Sequence, residues 1–318
     1  MQEKPDKRVR LSPFERPEMR IEDKKRVLNA FTETFLDKSN QTRLGAGTTA
    51  EVMANNLDPA LSKFVSKFAY ADRPHHGILN DLETEFEQQL NAWRMTEGWK
   101  TKYPKAPRVR VPEPIGYVRE GDNEVLVMER VRGKTLWRLL MENYLRTEGI
   151  ASGRLTERDA EDLAQHPDDS YVEDFLIRRT DMAQYYQHGR HKEIEKTMWD
   201  NCYRKQSAIV TEDQFKAIQA FAALSKREKF WHRDFHPKNV MISDNGDVFV
   251  IDFGLSTQGM DEKDAMHIEN FGQEIMMTAG YEGLIEQLRG SGNGDSTDPK
   301  RQRVPMSTWH KPDLDKKA

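Results

Sequence analysis

The sequence predicts an α+β protein of two lobes, in which a small sheet-rich N-lobe precedes a larger helical C-lobe. Alternating apolar residues indicate strands over Lys63–Tyr70, Ile115–Val118 and Val125–Val131. Beyond Gly133 the apolar residues from Leu136 to Glu228 recur at helical spacing. The change of pattern near Gly133 therefore marks the boundary between the lobes.

The remaining elements follow from the same patterns. Helical spacing predicts one helix over Val27–Leu36 and another over Leu79–Trp93. A glycine-bearing turn joins two extended segments within Leu44–Val52. Short strands return at Val240–Ile242 and Val248–Ile251, separated by a turn that contains Asn-Gly. A strand pair is therefore expected inside the helical lobe.

These patterns divide the chain into four parts. A charged N-terminal extension is expected over residues 1–26, the N-lobe over 27–132 and the C-lobe over 133–289. Residues from about 154 to 205 look like inserted helices, which could be a substrate-binding surface or added packing. Residues 290–318 are rich in Gly, Ser, Asp, Pro and Lys and are predicted to form a disordered tail.

Composition excludes several classes of function. The 318 residues carry 49 Lys and Arg against 53 Asp and Glu, and this net charge of −4 gives no indication of a nucleic-acid partner. No apolar run approaches the roughly 20 residues that span a bilayer. The single cysteine, Cys202, excludes an internal disulfide. The first ten residues are charged and lack the apolar core of a secretory signal. We expect a soluble, cytoplasmic protein without a membrane partner.

The strongest chemical signal is the run His232–Asn239, followed by a hairpin and then by Asp252-Phe253-Gly254. Phosphoryl transfer needs a carboxylate to orient the attacking hydroxyl, and oxygen ligands to hold Mg²⁺ on the phosphates. Asp234 can supply the first, and Asn239 with Asp252 the second, because Mg²⁺ prefers carboxylate and amide oxygens. The sequence therefore predicts an enzyme that uses ATP and Mg²⁺.

With these motifs the chain resembles the protein kinase-like superfamily. Gly45, Gly47 and Val52 are similar to the glycine-rich loop over the ATP phosphates, although Ala50 stands where the third glycine is usual. The resemblance implies that Lys67 contacts the α- and β-phosphates. Lys63 is a competitor on the same strand face, but Lys67 follows a Phe-Val-Ser run similar to the Val-Ala-Ile of the family.

In this superfamily a carboxylate from the next helix holds that lysine. Glu83, Glu85 and Glu87 are all available, and the pattern does not choose cleanly among them. Glu83 is followed by apolar residues at +3 and +7, and Glu87 by one at +3. We therefore select Glu83 and Glu87 as the candidates.

The run Val127–Gly133 resembles the hinge between the two lobes of a kinase. The resemblance implies that the Glu129 carbonyl and the Val131 amide bond the adenine edge, and that Met128 gates the back of the pocket. It also implies an apolar adenine slot formed by Val52, Val65 and Met241.

The motifs point to more than one branch of the superfamily. His236-Pro237 resembles aminoglycoside and choline phosphotransferases, which usually have glycine where Arg233 stands. Arg233 is the protein-kinase type. The short passage after Gly254 is similar to small atypical kinases, namely the Rio type and the kinase subunit of the complex that makes threonylcarbamoyl-adenosine in tRNA.

Three functions follow from these resemblances. The expected one is an atypical Ser/Thr protein kinase, which would transfer the γ-phosphoryl of Mg-ATP to a protein hydroxyl. The alternatives are a small-molecule kinase of the aminoglycoside or choline type, and a pseudokinase scaffold. Against the scaffold, Lys67, Asp234, Asn239 and Asp252 are all present.

Overall fold

The fold was analysed in a computed structural model of the chain. It describes residues 7–16, 19–33, 41–46, 50–55, 58–69, 81–104, 109–166, 169–180, 191–205 and 209–259. The strands are β1 Lys7–Leu11, β2 Gln41–Ala46, β3 Ala50–Asn55, β4 Phe64–Ala69, β5 Val109–Arg110, β6 Pro114–Glu120, β7 Asn123–Glu129, β8 Gly133–Thr135, β9 Phe230–Trp231, β10 Val240–Ser243, β11 Val248–Val250 and β12 Thr257–Gln258. The helices are α1 Ile21–Glu33, α2 Leu82–Lys102, α3 Leu136–Tyr144, α4 Glu157–Gln165, α5 Asp169–Arg179, α6 His191–Arg204 and α7 Glu212–Glu228.

The N-terminal part of the chain, for which we keep the name N-lobe, is an antiparallel sheet with a helix on each face, and the helical C-terminal part keeps the name C-lobe. The six strands of the N-lobe lie in the order β1-β6-β7-β4-β3-β2. Helix α1 packs on β6 and buries Leu28 and Phe31 in an apolar cluster that also contains Phe64 and Phe68 of β4. Helix α2 buries its apolar stripe against the opposite face, where Tyr117 and Leu126 lie. Because side chains alternate along a strand, β4 presents Phe64, Ser66 and Phe68 to the face that α1 covers, and Val65 and Lys67 to the α2 side.

The C-lobe is built on one large apolar core. Helix α3 lies at its centre, with Leu136, Leu140 and Met141 fully buried. Helices α4, α5 and α6 fall in the range expected to be an insert, and their buried residues join the same core. A four-stranded sheet in the order β5-β11-β10-β8 borders this core, and β12 pairs separately with β9.

The boundary between the lobes requires a glycine. Gly133 has a φ of 154°, and a Cβ built there would lie 2.1 Å from the carbonyl oxygen of Ile242. A side chain cannot fit at this distance, so the chain turns into β8 and approaches β10 only because residue 133 is glycine.

Of the extension predicted over residues 1–26, the part that the structure describes belongs to the N-lobe. Residues Lys7–Leu11 form β1, an edge strand that pairs with β6 in register from Lys7 with Glu120 to Leu11 with Gly116. Helix α1 begins at Ile21, six residues before the predicted start. The charges that suggested a solvated extension form ion pairs on the surface of the lobe instead. The predicted tail at 290–318 lies outside the described residues.

Candidate active site

Lys67 lies in the middle of β4, on the α2 side of the sheet. Its neighbour across the ladder is Val52 of β3, so the register brings together the two residues predicted to border the nucleotide. The competing Lys63 belongs to a 3-10 turn at Pro59–Lys63 and is exposed before the strand begins. The structure therefore places Lys67, and not Lys63, on the inner face of the strand.

Glu85 is the carboxylate of α2 that contacts Lys67. The Lys67 ammonium lies 2.7 and 2.8 Å from the two carboxylate oxygens of Glu85, which is only 2% exposed. The prediction that Glu83 and Glu87 supply this contact is wrong, because both pair with Arg10 of β1 instead.

The geometry of α2 explains this outcome. The helix begins after Asp81, whose side chain accepts a hydrogen bond of 2.7 Å from the Thr84 amide. At about 100° per residue, Glu83 and Glu85 flank the line of buried apolar residues formed by Leu82, Phe86 and Trp93, one on each side. Apolar spacing alone cannot distinguish the two sides. The position of the sheet determines which glutamate contacts Lys67, because the side of α2 that carries Glu85 faces β4 and the side that carries Glu83 faces β1.

Asp252 completes a cluster of three charges with Lys67 and Glu85. Its Oδ1 lies 2.8 Å from the Lys67 ammonium, and 43% of its side chain is exposed. Gly254 of the Asp-Phe-Gly run passes close to both carboxylates, since a Cβ built there would lie 3.4 Å from an oxygen of Asp252 and of Glu85. One cation therefore joins β4, α2 and the segment after β11.

The charges of this cluster act on one another. Burial opposes the charged form of Lys67, but Asp252 and Glu85 outweigh it and raise the pKa of the ammonium above its ordinary value. Lys67 in turn lowers the pKa of Asp252, which favours the carboxylate. Burial raises the pKa of Glu85, against the opposing effect of Lys67. The cluster therefore holds a charged lysine and an ionised Asp252 at neutral pH.

Asp234 lies in the loop between β9 and β10 and is held from two sides. Its Oδ1 is 3.2 Å from Nε2 of His236, and its Oδ2 accepts a hydrogen bond of 2.9 Å from the Asn239 amide nitrogen. Because Nδ1 of His236 accepts a bond from the Lys238 amide, Nε2 is the nitrogen that donates to Asp234. The hydrogen bond from His236 lowers the pKa of Asp234. The carboxylate is thus ionised and fixed in orientation.

Two phenylalanines anchor this loop and the Asp-Phe-Gly segment in the core. Phe235 packs near Phe221 of α7, with ring centroids 5.4 Å apart, and Phe253 is fully buried. His232 lies between them, with its ring 5.8 Å from that of Phe235 and 5.0 Å from that of Phe253. The neighbouring Asp234 and Asp252 are therefore placed by buried aromatic side chains.

The residues predicted for the nucleotide pocket lie on several elements. Val65 of β4 is paired with Met128 of β7, and Glu129 ends the same strand. Val131 follows in the segment that leads to Gly133, and Met241 belongs to β10. Gly45 pairs with Val52 across β2 and β3, whereas Gly47 lies outside the described residues.

The donor set of the site fits Mg²⁺. The amide nitrogen of Asn239 donates to Asp234, which leaves the amide oxygen as the atom of this side chain that can bind a cation. Asp252 offers a second, half-exposed oxygen donor. Within the described ranges, no group of three or more His, Cys, Asp or Glu side chains could hold a metal. This set suits Mg²⁺, which usually takes one or two carboxylates and fills its shell with waters and substrate phosphates.

One contact near the site was not anticipated from the sequence. The Lys238 ammonium lies 3.0 and 3.2 Å from the carboxylate oxygens of Glu173 in α5, and 5.0 Å from the centre of the Trp137 ring. Helix α5 is therefore tied directly to the loop that carries Asp234. Nothing in the spacing of Glu173 distinguishes it from other charges of α5.

The fold and these clusters define a phosphotransferase of the protein kinase-like superfamily. A sheet-rich lobe carries a buried lysine–glutamate pair, and a helical lobe carries the aspartates and the asparagine. The chain belongs to the family described as the phosphotransferase enzyme family, APH, whose model matches residues 102–266, just over half of its 318 residues. Comparison with the curated proteins gave no match. No helix in the described part of the chain is long and apolar enough to cross a membrane.

Proposed function

We propose that the protein transfers the γ-phosphoryl group of ATP to the hydroxyl of a small molecule. The observation that carries the proposal is the placement of Asp234 between His236 and Asn239, in a chain that also pairs Lys67 with Glu85 and Asp252. Phosphoryl transfer depends mainly on such positioning and on electrostatic stabilisation of the phosphates.

In the proposed reaction Asp234 orients the acceptor hydroxyl and accepts its proton. The hydroxyl oxygen forms a bond to the γ-phosphorus while the bond from that phosphorus to the β,γ-bridging oxygen breaks. The products are the phosphorylated alcohol and ADP. His236 and Asn239 fix the rotamer of Asp234, so this side chain loses little conformational entropy when the acceptor binds.

Lys67 and Asp252 have linked roles in this proposal. When ATP binds, its phosphate oxygens replace Oδ1 of Asp252 as the partner of the Lys67 ammonium. Glu85 keeps the lysine in position. Asp252 is then free to hold Mg²⁺ together with Asn239. Bound Mg²⁺ supplies positive charge that offsets the charge of the phosphate oxygens.

A small acceptor is supported by what lies around Asp234. The family match covers the segment from the end of α2 to beyond Asp252. Five residues after Asp252 the chain enters β12, which pairs with β9. Thr257 lies opposite Trp231, and Gln258 lies opposite Phe230. On the other side, Glu173 brings α5 to Lys238, four residues from Asp234. The family match and the His236-Pro237 pair, which resembles that of aminoglycoside and choline phosphotransferases, support a small alcohol as the acceptor.

The acceptor class can be tested with γ-labelled ATP. Wild-type protein and Asp234→Asn are each incubated with two acceptor pools, a protein-free mixture of small hydroxylated compounds and a mixture of Ser- and Thr-rich proteins. We expect label in small phosphorylated products of the wild type and none with the variant. Asp234-dependent label confined to protein would overturn the proposed acceptor class.

The second candidate is an atypical Ser/Thr protein kinase. It is supported by Arg233, the residue type found before the catalytic aspartate in protein kinases, and by the similarity of Gly133-Lys134-Thr135-Leu136 to the Rio-type kinases. Label on protein in the same experiment is the outcome that favours it.

A further inference from the structure

Residues 7–16 run along helix α2, and we call this segment the N-terminal strap. Its strand β1 pairs with β6 and directs two arginines at the first turns of the helix. Nε of Arg10 lies 2.6 Å from Oε1 of Glu83, and its guanidinium also bonds the carboxylate of Glu87. Arg8 adds a longer contact of 3.8 Å to Glu83. The strap thus holds two successive turns of α2 by charge.

A second set of contacts lies two turns further along the helix. The ring of Phe14 is 4.9 Å from that of Trp93, and the guanidinium of Arg94 lies 4.7 Å from the centre of the Phe14 ring. Arg16 lies 5.1 Å from the centre of the Trp93 ring. The strap therefore follows α2 with ion pairs at one end and aromatic packing at the other.

The far end of the strap is fixed to the lobe by a buried cation. The ammonium of Lys24 in α1 is fully buried and donates to the Phe14 carbonyl at 2.6 Å and to Glu113 at 2.8 Å. The Ser12 amide donates to the Ile115 carbonyl at 3.0 Å. The strap is therefore anchored to α1 and β6 at residues that lie between and beside its contacts with α2, so it can hold the helix in place.

The strap and Lys67 act on the same turn of α2 from opposite borders. Glu85, which contacts Lys67, lies between Glu83 and Glu87 in sequence, and these contact Arg10. We propose that the N-terminal strap positions α2 so that Glu85 meets Lys67, with Arg10 as the main positioning residue. The consequence for turnover rests on the proposed phosphotransferase function, whereas the consequence for the helix does not.

The strap offers a matched pair of variants. Arg10→Glu places a carboxylate against Glu83 and Glu87, whereas Lys7→Glu makes the same change of charge on the same strand. Lys7 pairs with Glu120 of β6 rather than with α2, and it is as exposed as Arg10. Arg10→Lys, which keeps the charge, serves as the conservative variant.

Two readouts are taken on the full-length protein, namely hydrogen exchange of the α2 amides, and kcat and KM for Mg-ATP. Loss of the two partly exposed Arg10 ion pairs should lower kcat/KM by about two- to thirtyfold. We expect Arg10→Glu to show this loss together with faster exchange over residues 82–90. Lys7→Glu should match wild type in both readouts, and Arg10→Lys should recover most of the loss.

The outcomes separate the strap from the proposed function. Equal exchange in Arg10→Glu and Lys7→Glu would overturn the positioning role, whatever the activity. Faster exchange in Arg10→Glu alone, in a protein that transfers no phosphoryl group, would support the positioning role and overturn the proposed function. Faster exchange with unchanged kcat/KM in an active enzyme would show that the strap does not position Glu85 for Lys67.

Discussion

The ammonium of Lys67 lies 2.8 Å from Oδ1 of Asp252, although the two residues are 185 positions apart in the sequence. The same ammonium contacts both carboxylate oxygens of Glu85. This arrangement pairs the carboxylate proposed to hold Mg²⁺ with the lysine proposed to hold the phosphates. In the proposed reaction, ATP binding at Lys67 would release Asp252 for Mg²⁺, so we expect the affinities for the two to be coupled.

Glu85→Gln should impair the enzyme more than any other substitution of a glutamate in α2. The change keeps the volume of the side chain but removes one of the two charges that hold Lys67, so the lysine moves towards Asp252 and competes with the cation. We expect kcat/KM for Mg-ATP to fall by at least about tenfold, measured by steady-state kinetics. Glu97→Gln is the control, because Glu97 contacts Lys100 on the surface of the same helix. Equal effects of the two substitutions would contradict the assignment.

Asp252→Ala should abolish Mg-ATP turnover while leaving the fold intact. Lys67 keeps its contacts with Glu85, and the half-exposed Asp252 side chain contributes little to the core. The measurement is phosphoryl transfer across a Mg²⁺ titration, with circular dichroism to report the fold. Asp244→Ala, which removes an exposed carboxylate from the neighbouring hairpin, is the control. A rate near that of the wild type in Asp252→Ala would show that the metal assignment is wrong.

Arg233→Gly should stabilise the protein. Arg233 has a φ of 59°, a left-handed conformation that costs L residues roughly 1–2 kcal/mol and that glycine adopts freely. Part of this gain is lost to the greater freedom of glycine in the unfolded chain, so we expect a net increase of up to about 1 kcal/mol in the free energy of unfolding. Arg233→Ala, which keeps the Cβ, should show no such gain. Urea denaturation of both variants gives the comparison, and a less stable glycine variant would refute the prediction.

Stability should fall as the pH drops below about 6.5, in part because of His232. The fully buried His232 donates from Nε2 to the Ile251 carbonyl at 2.9 Å, and its Nδ1 has no partner among the described residues. Burial lowers its pKa in the folded state, so the unfolded chain binds a proton at a higher pH than the folded chain does. Each such proton lowers the free energy of unfolding by at most about 1.4 kcal/mol for every unit by which the pH falls.

The contribution of His232 can be isolated with His232→Phe. The free energy of unfolding is measured by urea denaturation from pH 7.5 to 5 for both proteins. The variant is expected to be less stable at pH 7.5, since the Ile251 carbonyl loses its donor, but to have a shallower decline below pH 6.5. Parallel curves for the two proteins would exclude His232 as a source of the decline.

The sequence was informative where a motif is local. Asp234, His236 and Asn239 are separated by a few residues, so their spacing alone placed them in one loop, and the structure joins them by hydrogen bonds. The two faces of β4 likewise follow from alternation, which predicted Lys67 on the face opposite to Phe64 and Phe68. Short-range periodicity fixes these relationships before any tertiary contact forms.

The sequence was uninformative where a choice depends on a distant partner. Glu83 and Glu85 border the same buried stripe, and which of them faces Lys67 depends on where β1 and β4 lie beside α2. The charged residues of β1 indicated an extension, because this five-residue strand carries three cations and only Val9 and Leu11 as apolar residues. The left-handed φ of Arg233 is likewise not revealed by any local pattern.

The central claim is that Asp234 serves phosphoryl transfer from ATP, and γ-labelled ATP tests it most directly. The initial rate of label transfer is compared between wild type and Asp234→Asn, with nucleotide binding measured on both. We predict transfer by the wild type and a loss of at least about a hundredfold in the variant, with binding retained. Equal rates in the two proteins, or nucleotide binding by the wild type without any turnover, would contradict it.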